Sequence, residues 1–171
     1  MNYFEFYDIP VKFNIDENAL KAKFYKIAKE NHPDFFVNDE EKYNTVLQIS
    51  SLNNEAFKCL SDYYSRVEYV LKLSNKIFDE KLSPVFLIEM MDMNEAIEEV
   101  KANNDLVKNQ QLISEIESMK EYLASELKNL TTIADNTISI EKKPLKEIKE
   151  NLQKHKYILR LKETLANIAA H

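Results

Sequence analysis

Apolar residues recur at three- and four-residue spacing along most of this chain, a period that predicts helices rather than strands. Leu20, Phe24, Ile27 and Ala28 make one buried stripe of a helix that Asp16 caps and that ends near Asn31. Pro33 stops it, because proline disfavours helical geometry at His32 and removes a backbone donor. Upstream, Tyr3, Phe4, Phe6, Tyr7 and Ile9 precede Pro10 and predict a short apolar helix or turn. Downstream, a third helix is predicted to start after Asn38, with Glu41 three residues on in the manner of a capping box. It runs through Val46, Ile49, Leu52, Ala56 and Leu60, and a further turn carries Arg66, Tyr69, Val70, Leu71 and Leu73. Two antiparallel helices joined by a loop holding His32 to Asp34 form a helical hairpin.

Residues 74–83 have mixed composition and read as a linker in which Ile77, Phe78 and Leu82 have something to pack against. Ser83-Pro84 is then a strong helix start, with serine as cap and proline at the first helical position. Three helices are predicted at about 84–102, 105–131 and 141–169. The first carries the stripe Phe86, Met90, Met93, Ile97 and Val100. The second carries Leu106, Ile113, Ile116, Met119, Leu123, Leu127 and Leu130. The third carries Leu145, Ile148, Leu152 and Leu159, then drifts to Leu161, Leu165 and Ile168. This is the pattern of a three-helix bundle. The expected fold class is all-α: a hairpin unit over 1–73, a linker over 74–83 and a bundle over 84–171.

Composition strengthens that reading. The chain has no glycine, which sheets and tight hairpins usually need at positive φ. Asn31, Asn38, Asn75, Asn103, Asn104, Asn129 and Asn136 are read as lying between periodic segments, where asparagine can adopt the left-handed cap conformation. Cys59 is the single cysteine, which excludes an intramolecular disulfide and a cysteine-rich zinc site. His32, His155 and His171 are too scattered to make a ligand set, so no metal and no cofactor is expected. No nucleophile or glycine-rich loop accompanies them, and an enzyme is not expected. The net charge of −6 weighs against nucleic acid as a partner. No long apolar run and no basic leader are present, so the expectations are no membrane span and a cytoplasmic location.

Two stretches depart from the average charge. Leu20 to Lys29 holds four lysines and no acid, with Lys26 and Lys29 pointing away from the apolar stripe and Lys23 at its edge. His32-Pro33-Asp34 follows directly. On its own the tripeptide is either helix punctuation, with histidine favouring the helix dipole and aspartate capping what comes next, or a contact loop. Between Pro84 and Val100 there are five acids and no lysine or arginine. Leu87, Ile88, Met91, Glu95 and Glu99 lie opposite the core stripe at 100° per residue. Such a face is either a second packing surface or an interaction patch.

With the basic helix and the His-Pro-Asp loop, residues 1–73 resemble a J domain, the module that binds DnaK-type chaperones and stimulates their ATPase. The string LNNEAFKCLSDYYSRVEYVLKL is more specific: Asn54, Ala56, Phe57, Leu60, Arg66, Glu68, Tyr69 and Leu71 stand as in the HscB-type co-chaperones of iron–sulfur cluster assembly. The opening MNYFEFYDIP is similar to theirs too, and a weaker likeness extends over the whole chain. The resemblance implies that Lys23, Lys26, Lys29, His32, Pro33 and Asp34 meet a DnaK/HscA-type chaperone ATPase. It implies that Leu87, Ile88, Met91, Asp92, Glu95, Glu99 and Tyr157 bind an IscU-like iron–sulfur scaffold protein. Tyr157 is expected to be exposed, since it falls off the Leu145–Leu152–Leu159 stripe. Three positions depart from the family's pattern: Phe35 where lysine is common, Tyr63 where proline is usual, and Asn94 where arginine occurs. The lack of a cysteine-bearing N-terminal extension leads us to expect a bacterial-type member. A J-domain protein with a different client and a helical adaptor unrelated to chaperones are the competing expectations.

Overall fold

The computed structural model describes residues 1–37, 39–74, 76, 81–103, 105–138 and 144–169, with Ile168 and Ala169 described by backbone alone. Asn38, Asn75, Ile77, Phe78, Asn104, His171 and the side chain of Ile168 lie outside the described residues. All regular structure among the described residues is helical, and the chain divides into two compact units, Met1–Lys76 and Ile77–His171.

The first unit begins with α1 (Tyr3–Phe6), closed by a capping box in which Asn2 Oδ1 accepts from the Glu5 amide at 3.0 Å. The chain then turns through Asp8, whose φ of 48° takes the left-handed conformation that aspartate tolerates in this glycine-free sequence. Helix α2 (Glu17–Glu30) starts where Asp16 Oδ1 accepts from Ala19 N–H at 3.0 Å. A single 3-10 turn, Pro33–Phe35, leads to α3 (Glu40–Ser61), which packs antiparallel on α2. The α3 cap is Asp39, which accepts from Lys42 N–H at 3.2 Å; the predicted start at Asn38 is therefore one residue early. Nor does α3 simply run on. Asp62 is extended (φ −83°, ψ 123°) and caps a separate α4 (Tyr63–Leu73) by accepting from Ser65 N–H at 2.8 Å.

Phe4, Tyr7, Phe13, Leu20, Ala56, Leu60 and Val67 form the core of this unit. Two polar residues tie it together. Arg66, 2 % exposed, donates through Nε to Phe13 O at 2.8 Å, through Nη1 to Leu60 O, and through Nη2 to Glu17 at 3.4 Å. Asn53 sits 2.7 Å from the Tyr7 hydroxyl through Oδ1 and donates to Phe24 O at 3.1 Å. Tyr69 accepts from Tyr3 N–H at 3.0 Å and stacks on the Tyr3 ring. The residues that made the sequence string specific thus anchor α1 and the α3–α4 corner.

The second unit is a bundle of α5 (Pro84–Asn103), α6 (Leu106–Asn136) and α7 (Leu145–Ala169), in which all three helices contact one another. Phe86, Met90, Met93, Ile97 and Val100 enter its core as the periodicity predicts. Helix α6 differs. It runs five residues past the predicted end, and Leu106 and Ile113 are exposed while Asn109, Leu112, Thr131 and Ala134 are buried. In α7, Ile158 is buried and Leu159 is not. The predicted stripe rests on apolar residues alone, and the buried face of α6 includes polar positions that such a choice passes over. Polar Asn109 and Thr131 occupying core positions then hide the true stripe.

His155 of α7 is also buried, and that burial holds its imidazole below the ordinary value, with Lys120 acting in the same direction. Its neutral form is the one that folds. The stabilisation is fully present above about pH 6.5, the unfolded value, and is lost as pH falls toward and through the depressed folded value. Urea midpoints of the second unit at about pH 7.5 and 5.5 should differ less in His155→Gln than in the wild type. Equal pH dependence in both would contradict the assignment.

Candidate functional site

The first surface is the end of α2 and the turn after it. Lys26 and Lys29 are exposed, Lys26 lying 4.0 Å from Glu30. Lys23 is not equivalent to them. Its ammonium donates to Tyr7 O at 2.6 Å and Asp8 O at 3.0 Å, so it holds the carbonyls at the end of α1. A charge pattern along one helix carries no signal for that long-range use.

His32 caps the 3-10 turn. Its Nδ1 accepts from Asp34 N–H at 3.3 Å, while Phe35 N–H donates to His32 O at 3.1 Å and Phe36 N–H to Pro33 O at 3.0 Å. An Nδ1 that accepts places the proton of the neutral ring on Nε2, leaving that nitrogen as a donor. Asp34 Oδ2 lies 3.6 Å from Nδ1. Both side chains are exposed. Phe35, an apolar residue in a loop that the sequence reading set aside as a departure, is exposed beside them, its ring 5.6 Å from that of His32. Among the described residues no group of three potential metal ligands forms.

The second surface is on α5. Leu87 is 42 % exposed, Ile88 60 % and Met91 64 %, although the core stripe of the same helix is complete. Asp92, Glu95 and Glu99 border them, and Lys108 pairs with Glu99. Tyr157 corrects the expectation of a free aromatic. It is half-buried, meets Phe86 edge-on at 6.0 Å, and its hydroxyl accepts from Asn94 Nδ2 at 3.2 Å. It therefore fastens α7 to α5 at the edge of the apolar patch. Asn94 reaches it while also donating to Met90 O at 2.6 Å.

Against this geometry stand the comparisons with known proteins. Residues 82–166 match the family described as the HSCB C-terminal oligomerisation domain. The co-chaperone protein HscB of Buchnera aphidicola subsp. Acyrthosiphon pisum (strain Tuc7) is 38% identical over 109 residues, 61% of this chain and 63% of that protein. The co-chaperone protein HscB homolog of Vibrio cholerae serotype O1 (strain M66-2) is 34% identical over 110 residues, 61% of this chain and 64% of that protein. The chain thus spans less than two thirds of the length of these relatives. Among solved structures, chaperone HscB from Vibrio cholerae superposes with a TM-score of 0.71 at 25% identity, over 99% of this chain and 98% of that one. The human co-chaperone protein HscB, at 24% identity, shares the fold with a TM-score of 0.74 over 98% of this chain and 81% of its own.

Proposed function

This chain belongs to the HscB family, and on that premise we propose that it is a co-chaperone that carries an IscU-like iron–sulfur scaffold protein to a DnaK/HscA-type chaperone and raises that partner's ATPase rate. The observation that carries the reading is the α5 face: three large apolar side chains stay in solvent on a helix whose core stripe is already filled. An apolar centre with a charged border is the anatomy of a protein interface. The scaffold-binding residues proposed are Leu87, Ile88, Met91, Asp92, Glu95 and Glu99, with Tyr157 closing the α7 edge.

The other end of the adaptor is the J-domain unit. Lys26 and Lys29 are exposed cations that steer toward an acidic chaperone surface and speed encounter more than they add affinity. Lys23 contributes to that contact by fixing α1 against α2. His32, Pro33 and Asp34 dock on the ATPase and favour its hydrolysis-competent state, which a partner does only through higher affinity for that state. The chain itself breaks and makes no bond in this reading. No helix among the described residues is long and apolar enough to cross a membrane, and the cytoplasm is the compartment proposed.

Titrating the scaffold against wild type and Leu87→Ala/Ile88→Ala/Met91→Ala tests the face. The variant should bind about thirtyfold more weakly, as expected when interface anchors are truncated, while its melting temperature is unchanged because these side chains support no core. Equal affinity in the folded variant would rule the face out.

A further inference from the structure

Phe35 is the only exposed phenylalanine among the described residues, at 71 %. Its neighbour Phe36 is half-buried and lines a groove with Val46 and Ile49, so the turn distinguishes two adjacent phenyl rings, folding one in and leaving the other out. The outward ring is not on a loose tip. The 3-10 hydrogen bonds, the Asp34 N–H to His32 Nδ1 bond and the Asp39 N–H to Phe36 O bond at 3.0 Å fix the backbone on both sides, and Pro33 fixes φ within the turn. A side chain held this way loses little freedom when a partner covers it. Val37, also exposed, follows two residues on.

We propose that Phe35 is an anchor of the chaperone contact, its ring entering an apolar socket on the ATPase partner beside the acceptor that meets His32. This deepens the function proposed above and rests on it. Continuity carries the choice of partner. The Phe35 and His32 rings lie 5.6 Å apart at 56°, so any surface that covers His32 covers Phe35 with it. Charge sets the chemistry of that surface. Exposed Lys26 and Lys29 precede the turn, so the socket has carboxylates near its border rather than cations. Phe35 thereby supplies affinity that salt does not screen, alongside lysine steering that it does.

The test titrates wild type, Phe35→Ala, Phe35→Leu and His32→Gln into a DnaK-type chaperone and reads the half-maximal concentration and the maximal ATPase rate at low and high salt. Phe35→Ala should raise the half-maximal concentration about tenfold, the loss of one well-packed aromatic anchor, at both salt concentrations, with the maximal rate retained. Phe35→Leu should recover most of that loss. If Phe35→Ala superimposes on wild type while His32→Gln abolishes stimulation, the anchor is wrong and the co-chaperone reading stands. If wild type does not stimulate, or His32→Gln stimulates equally well, both fall. If Phe35→Ala instead changes only the sedimentation of the chain alone, the socket belongs to a second copy and the proposal is overturned.

Discussion

Arg66→Ala is expected to cost the first unit about 3–5 kcal/mol, the scale of breaking a buried, hydrogen-bonded charge network. For a small domain with a total stability of about 5–15 kcal/mol, that removes much of the fold. The guanidinium is 2 % exposed and satisfies Phe13 O and Leu60 O, two carbonyls from segments far apart in sequence. Alanine leaves both without their donor and opens a cavity the size of the largest buried side chain among the described residues. The Glu17 carboxylate is mostly in water, so its pair with Arg66 adds little, and Glu17→Gln should shift stability by under about 1 kcal/mol. Arg66→Lys should lose most of the stabilisation as well, since one ammonium does not reproduce the fork that reaches both carbonyls. Urea unfolding followed by circular dichroism, with the wild type and Glu17→Gln alongside, reads these differences. A cost below about 1 kcal/mol for Arg66→Ala would mean that the carbonyls find other donors.

His32→Gln is expected to return a stimulated chaperone to its basal ATPase rate with no loss of stability. The fold is nearly indifferent to the ring: it is half-exposed, and its own hydrogen bond is the one accepted from Asp34 N–H. Glutamine keeps polarity and similar reach but not the planar ring that packs on Phe35 and presents Nε2–H. The expected loss is complete because, in the function proposed above, the loop is where the bias toward hydrolysis is delivered. A partner shifts a conformational equilibrium only by its difference in affinity for the two states. A His32→Gln chain that binds weakly but still stimulates fully at saturation would place the switch elsewhere.

Some of this was legible in the chain and some was not, for physical reasons. The α5 stripe is apolar at every core position, so the 3.6-residue period exposes it, and by subtraction exposes Leu87, Ile88 and Met91 on the other side. Arg66, Asn53, Asn109, Thr131 and His155 are buried polar residues, and hydrophobic patterning has no signal for them. Two of them find partners at distant positions: Arg66 meets Phe13 O, and Asn53 meets Tyr7. Resemblance to a family found Arg66 where periodicity did not. Tyr157 reads as free from its own helix while Asn94 on another segment holds it, and the place of Lys23 at the edge of its stripe gives no sign of its bond to Tyr7 O. The Asp62 break was readable, since an aspartate three residues before Ser65 is an ordinary capping arrangement, but the run of apolar residues across it masked the stop.

The claim that this is a two-ended adaptor is tested most directly by the chaperone's steady-state ATPase rate, measured with the chain, with the scaffold and with both, in wild type and His32→Gln. The account predicts that wild type and scaffold together raise the rate by more than their separate increments added, and that His32→Gln leaves only the scaffold's own increment. A combined rate equal to the sum of the separate increments, or one that survives His32→Gln, would contradict it.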